Sequence, residues 1–157
     1  MNRHVNAIAG RLSLRAPQRR SLEILDRITE NAPPHKQVDI ASVLKVISSE
    51  FPSVTDFERE FPSLCFALAT GVGKTRLMGA FISYLHLAHG INNFFVLAPN
   101  LTIYNKLIVD FSDRTHPKYV FKGISEFAIE PPSIITGDNY DQRDPASGSL
   151  FGGVRIN

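Results

Sequence analysis

No stretch of this 157-residue sequence approaches the ~20 consecutive apolar residues that a bilayer-spanning helix requires. No apolar run with a small-residue cleavage site follows the amino terminus either, so neither a membrane helix nor an export signal is expected. Cysteine is nearly absent: Cys65 stands alone, which excludes an internal disulfide. Its place in the apolar run 64–68 suits a reduced, buried thiol and hence a cytoplasmic protein. Adjacent acidic pairs are missing throughout. Internal repeats, heptads and low-complexity tracts are missing too, which excludes solenoid and coiled-coil architectures. The length is that of roughly one domain, too short for an enzyme with two large lobes.

What is present is ordinary globular material. Hydrophobic residues make up 43% and charged residues 20%, enough apolar content for a core and too much for wholesale disorder. Net charge is only +2, yet Arg3, Arg11, Arg15, Arg19 and Arg20 all precede the first acid, Glu23. Such a basic start serves solvation and helix charge, a transit peptide or a phosphate-facing patch. It runs directly into a helical pattern with no processing site, which argues against targeting, and arginines without a motif do not establish nucleic-acid binding.

The apolar spacing predicts a helix from about Pro17 to Asn31, with Leu22, Leu25 and Ile28 on one face and Pro33 and Pro34 ending it. A second helix carries Ile40, Val43, Leu44 and Ile47, and 48–62 reads as a connector. Leu64–Leu68 has the unbroken apolar character of a strand covered on both faces. A helix with Leu77, Met78, Phe81, Ile82 and Leu85 follows and ends near Gly90. Phe94–Ala98 repeats the strand signature, and Pro99 and Asn100 lead into a helix through Ile103, Leu107 and Phe111. Tyr119–Phe121, Ile134–Thr136 and Val154–Ile156 are further strand candidates, with a polar loop at 137–153. This alternation predicts an α/β fold with a mostly parallel sheet flanked by helices.

The strongest chemical signal is Ala69-Thr70-Gly71-Val72-Gly73-Lys74-Thr75, between an apolar run and a helix. Glycines at 71 and 73 let successive N–H groups converge on phosphate oxygens, and the adjacent helix start adds partial positive charge. Lys74 would reach the β- and γ-phosphates and Thr75 would ligate Mg²⁺, with Thr70, Gly71, Val72, Gly73 and Arg76 completing the nucleotide contacts. Leu68 stands where the strict phosphate-loop pattern has glycine. The bland alternative is a glycine turn with a solvated lysine.

Leu68–Thr75, together with Val96-Leu97-Ala98-Pro99-Asn100 one helix later, resembles superfamily 2 helicases and translocases. The resemblance is closest to the Res subunit of type III restriction enzymes and its DEAD/DEAH-box-like relatives, whose phosphate loop often begins with a hydrophobic residue. Leu14-Arg15-Ala16-Pro17-Gln18 is similar to the family's adenine-reading segment, with the proline one position late, and implies that Gln18 reads the adenine edge of ATP. The resemblance further implies that Pro99, Asn100 and Leu101, and after a later strand Thr136 and Gly137, contact the phosphates of a DNA strand without reading its sequence. It implies a partial RecA-like phosphate-loop NTPase domain, with 1–62 as a helical segment bearing the adenine motif and 63–157 as the first half of the ATP-binding domain. ATP and Mg²⁺ would be its cofactors. DNA, and in the parent architecture a modification methyltransferase, would be its partners.

The family's Asp-Glu pair, which holds Mg²⁺ and orients the attacking water, has no counterpart here. Leu107-Ile108-Val109-Asp110 imitates such a strand end, but Phe111 follows and the spacing is helical. The chain is therefore expected to stop before the DEAD/DEAH-type strand, to lack turnover of its own, and to leave a sheet edge or apolar face uncovered. His86 and His89 near a helix end suit the helix dipole better than a metal. Asp138, Asp141 and Asp144 lack calcium-loop spacing. Two other classes remain open: another phosphate-loop NTPase or kinase, and a non-catalytic remnant.

Overall fold

The structure, a computed structural model, describes residues 3–34, 38–139 and 153–157. The basic amino end is not merely solvated. It forms α1 (Arg3–Arg11), which buries Val5, Ile8 and Ala9 while its arginines stay at the surface. Only three apolar positions over two turns mark this face, too weak a pattern to stand out among the arginines. The next helix, α2 (Ala16–Asn31), has Pro17 in its first turn, where a missing N–H costs nothing. α3 (Ile40–Glu50) is capped by Asp39, whose carboxylate accepts from Ser42 N–H at 3.2 Å. It lies against α2 through a small cluster of Ile28, Ile47 and Phe57, and the Arg27–Glu50 ion pair at 2.6 Å ties the two helices.

The fourth helix, α4 (Lys74–His89), supplies the centre of the main core. Leu77, Ala80, Ile82 and Tyr84 meet Val5, Ile8, Leu22 and Leu25 from the first two helices on one side and Val120, Phe121, Val154 and Ile156 elsewhere. It ends at Gly90, whose N–H returns to His86 O at 2.9 Å. A buried polar knot joins it to α2. The Tyr84 hydroxyl donates to Asp26 Oδ1 at 2.8 Å and lies 3.1 Å from Thr29 Oγ1, and His89 Nε2 stands 3.0 Å from the same threonine oxygen. Burial, with Asp26 beside it, pushes the Tyr84 phenol up, so it stays a donor.

Among the described residues there are three short strands: β1 (Asn93–Phe94), then, after α5 (Leu101–Ser112) and α6 (Ser125–Ile129), β2 (Ser133–Ile134) and β3 (Arg155–Ile156). The sheet is parallel in the order β1-β3-β2, so the last strand in sequence is the central one, with Phe94 and Ile134 both opposite Ile156. Pairing extends past the strands through Val96 N–H to Asn157 O and Ile135 N–H to Ile156 O, both 2.8 Å. Phe94, Val96, Ile134 and Ile156 face the helical core. The alternate positions Phe95 and Leu97 are 74% and 78% exposed. An uncovered apolar face was expected, and these two residues provide it.

Several expectations are corrected. The segment 64–68 forms no strand, and most of it is exposed, Cys65 included. A strand is defined by its neighbour, and among the described residues no strand lies beside this one. Phe94–Ala98 is a strand only at its start and is covered on one face, not both. Tyr119–Phe121, a strand candidate, is buried but lies in turns: Val120 N–H donates to Asp110 O at 2.9 Å. Its burial comes from edge-to-face aromatic packing of Phe121 with Phe111 and Phe127, not from a sheet. The loop 137–153 lies largely outside the described residues, and Asp141 and Asp144 with it. Asp110 sits on α5 as the helical spacing required, buried, paired with Lys106 and 3.4 Å from His116.

Gly79 shows how closely α4 approaches the turn at 119–123: a Cβ there would lie 2.7 Å from both Cβ and the carbonyl oxygen of Val120. Alanine would gain up to ~1 kcal/mol of helix propensity, but overpacking a rigid contact costs about 1–3 kcal/mol. Gly79→Ala is expected to lower unfolding stability by about 1–2 kcal/mol in urea denaturation. An unchanged midpoint would mean that the turn yields freely.

Candidate functional site

Between Leu68 and α4 the chain makes a tight loop whose shape depends on two residues in the left-handed region, Gly71 at φ 77° and Gly73 at φ 91°. A side chain at either position would be strained, which explains the glycine spacing that marks the loop in the sequence. Three of its carbonyls accept from side chains. Lys74 Nζ donates to Ala69 O at 3.0 Å, Arg15 to Gly71 O at 3.3 Å, and Gln18 Nε2 to Gly73 O at 2.9 Å. With these oxygens engaged, the loop is braced from both its own lysine and the start of α2.

Gly73 is the N-cap of α4, and no side chain caps that helix. Its first-turn N–H groups therefore retain their capacity for an acceptor, and the helix dipole favours an anion there. Lys74 is the first helical residue and is exposed, Thr75 is half-buried one position on, and Thr70 and Gly71 lie exposed in the turn, with Val72 half-buried. Donors, a mobile ammonium and a hydroxyl thus share one helix start, which is the donor set that a magnesium-bound polyphosphate requires. Arg76 is different: its guanidinium donates to Leu12 O at 2.8 Å, tying α4 to the loop after α1. Its side chain serves the fold, and only its main-chain N–H belongs to the helix start.

Gln18 lies between the start of α2 and the phosphate loop. It is 2% exposed, with Oε1 accepting from Arg15 N–H at 2.8 Å and Nε2 on Gly73. The Arg15 bond is a local one at the start of α2, whereas the Gly73 carbonyl comes from a loop 55 residues away and left no local signal.

The residues expected to meet a nucleic acid lie past the ends of two strands. Asn100 caps α5, its side chain accepting from Ile103 N–H at 2.9 Å, with Pro99 before it and Leu101 exposed after it. Thr136 and Gly137 occupy a turn after β2. There the Thr136 N–H donates to Asn139 Oδ1 at 2.7 Å and Asn139 Nδ2 returns to Ile134 O at 3.1 Å. Asn139 is a residue that sequence reasoning missed, although an asparagine two places after a glycine is a recognised turn signal. Because β1 and β2 are both parallel to β3, these two loops emerge at the same edge of the sheet. The carboxyl ends of the strands are where open α/β sheets bind ligands.

The histidines find other partners. His86 Nδ1 is 2.8 Å from Asn92 Oδ1, and His89 belongs to the Tyr84 knot. Among the described residues no group of three His, Cys, Asp or Glu side chains could hold a metal ion, and no helix is long and apolar enough to cross a membrane.

A glycine loop braced at its carbonyls, opening an uncapped helix that packs on a parallel sheet, defines a phosphate-loop nucleotide-binding α/β domain. Residues 11–151 match the family model of the type III restriction enzyme res subunit, and the chain belongs to that family. The matched span is thereby a helicase-like ATP-binding region of RecA-like fold, and it contains the 14–18 segment, the loop and both strand-end turns. No curated protein and no solved structure gives a significant match.

Gly73 has a second constraint besides its φ: a Cβ would stand 2.6 Å from Gln18 Nε2. Gly73→Ala is expected to weaken magnesium–nucleotide binding at least about tenfold while leaving the helical circular dichroism in place. Wild-type affinity in this variant would show that the loop's shape is not what binds.

Proposed function

We propose that the chain binds Mg-ATP at the 69–76 loop and DNA at the neighbouring strand-end turns, as the nucleotide-binding part of a helicase or translocase of the res-subunit class. The observation that carries this is the coincidence at one point of two left-handed glycines, an uncapped helix start and an exposed lysine. In this reading 1–62 is the helical segment that braces the site, and 63–157 is the first half of the motor domain.

Lys74, which now donates to the Ala69 carbonyl, would offset the charge of the β- and γ-phosphates, and the Thr75 hydroxyl would be the residue to hold Mg²⁺. Thr70, Gly71, Val72, Gly73 and Arg76 contribute main-chain N–H groups around the phosphates. Bound Mg²⁺ would neutralise phosphate charge. Pro99, Asn100 and Leu101 lie at a helix start suited to a backbone phosphate, with Thr136 and Gly137 in the adjacent turn. These contacts carry no base sequence, which suits a motor that moves along DNA. A modification methyltransferase subunit is the partner this class implies.

Lys74→Ala is expected to abolish Mg-ATP binding measured by calorimetry, with the thermal unfolding midpoint of the nucleotide-free protein near wild type. Equal affinity in wild type and variant would refute the site. Because the sequence has no adjacent acidic pair, nucleotide is expected to bind without being turned over. A robust ATPase rate that disappears in Lys74→Ala would show that another acid does this work. Single-stranded DNA binding should fall steeply as salt rises from about 50 to 200 mM. Saturable binding of a small phosphate acceptor in place of DNA would point instead to a kinase.

A further inference from the structure

Residues 1–22 hold five arginines and no acid, and because the whole chain is +2 the remainder is negative by three. The fold gathers that charge on one surface. Arg3, Asn6, Ala7 and Gly10 are exposed positions of α1, three or four residues apart and so on one face, opposite the buried Val5, Ile8 and Ala9. At the seam with α2, Arg19 donates to Asn6 Oδ1 at 2.9 Å, with the exposed Arg20 beside it in sequence and the exposed Arg15 at the start of the same helix. Glu23 pairs with Arg19 and Glu126 with Arg11, but among the described residues no carboxylate pairs with Arg3, Arg15 or Arg20. No lysine occurs before Lys36, and guanidinium is the cation that grips phosphate oxygens in pairs.

We infer that this two-helix surface, carried by Arg3, Arg15, Arg19 and Arg20, is a second contact for the sugar–phosphate backbone of DNA, formed by residues other than the strand-end turns. It extends the DNA reading above. What lies between the arginines selects the partner. No large apolar side chain is exposed in α1 or α2. A protein interface needs aromatic or aliphatic anchors at its centre, and a helix lying on a membrane needs an apolar face to insert. Guanidinium groups over small side chains supply neither, and match the polar, positive surfaces that bind DNA. Gly10 is an independent sign. A Cβ there would meet nothing within 4 Å, so no packing inside the chain calls for glycine, although glycine weakens a helix relative to alanine. Close approach of a second backbone gives the position a use.

The test is fluorescence anisotropy of a short labelled single-stranded DNA titrated with the whole chain, as potassium chloride rises from about 50 to 200 mM. It is run for the unmodified chain, for the double variant Arg3→Gln with Arg20→Gln, for Gly10→Glu, and for Leu101→Glu at the strand-end turns. The double variant is expected to lose about 0.7 from the salt slope for each arginine removed, and about tenfold in affinity at physiological salt. Gly10→Glu is expected to weaken DNA at least as much while its unfolding midpoint stays at or above that of the unmodified chain. Slope and affinity unchanged in both would make the arginines a solvated face and overturn the inference. So would tighter binding of polyglutamate or of anionic lipid vesicles than of DNA. Leu101→Glu separates the two DNA readings: loss there alone leaves the strand-end turns as the contact and sinks the inference, whereas loss in the arginine and Gly10 variants alone sinks the strand-end reading and upholds it. An unmodified chain that binds no DNA at about 50 mM salt overturns both.

Discussion

Where Gly73 lacks a Cβ, the amide of Gln18 sits, and much of the molecule follows from that substitution of one residue's atoms for another's. The bond to Gly73 O holds the amino end of α2 against the amino end of α4. Some way along, the buried Tyr84, Asp26, Thr29 and His89 knot holds the same two helices again. Two attachments fix both the separation and the rotation of α2 on α4, whereas apolar contact alone would leave sliding along the helix weakly resisted, since hydrophobic burial is not directional. Arg76 adds a third tie, to the loop after α1. The loop's conformation is thus held by elements on either side of it, and its two left-handed residues are kept in place by bonds from outside the loop itself.

The four longer helices, α2 to α5, were legible because their information is local. Pro17 at a first turn, the 40–47 stripe, the Gly90 stop and the Asn100 cap each act within a few residues, and each helix begins and ends close to where those signals fall. Strands were less so. Leu64–Leu68 and Tyr119–Phe121 have the composition of buried strands, but a strand also needs a partner edge, which no local pattern contains. The first stays unpaired among the described residues. The second meets its burial requirement with aromatic edges and turns.

The same division holds in the site. Gly71, Gly73 and Lys74 could be found from spacing, because the loop's geometry is written in its own backbone preferences. What engages the amides and carbonyls around it could not. The hold of Asn139 on Thr136 and that of Gln18 on Gly73 are hydrogen-bond choices made after folding, among several acceptors of equal chemistry. Family membership accounts for why these segments occur together in one chain. It does not by itself say which of their polar atoms remain free.

Phe95 and Leu97 carry a consequence of another kind. They follow β1 and alternate with the residues that face the core, and the outer edge of β1 has no neighbour among the described residues. An extended backbone with idle donors and acceptors, flanked by bulky apolar groups, is a template for adding foreign strands. Covering that margin, by a further strand or by a partner, would bury these side chains and pair the β1 edge at the same time.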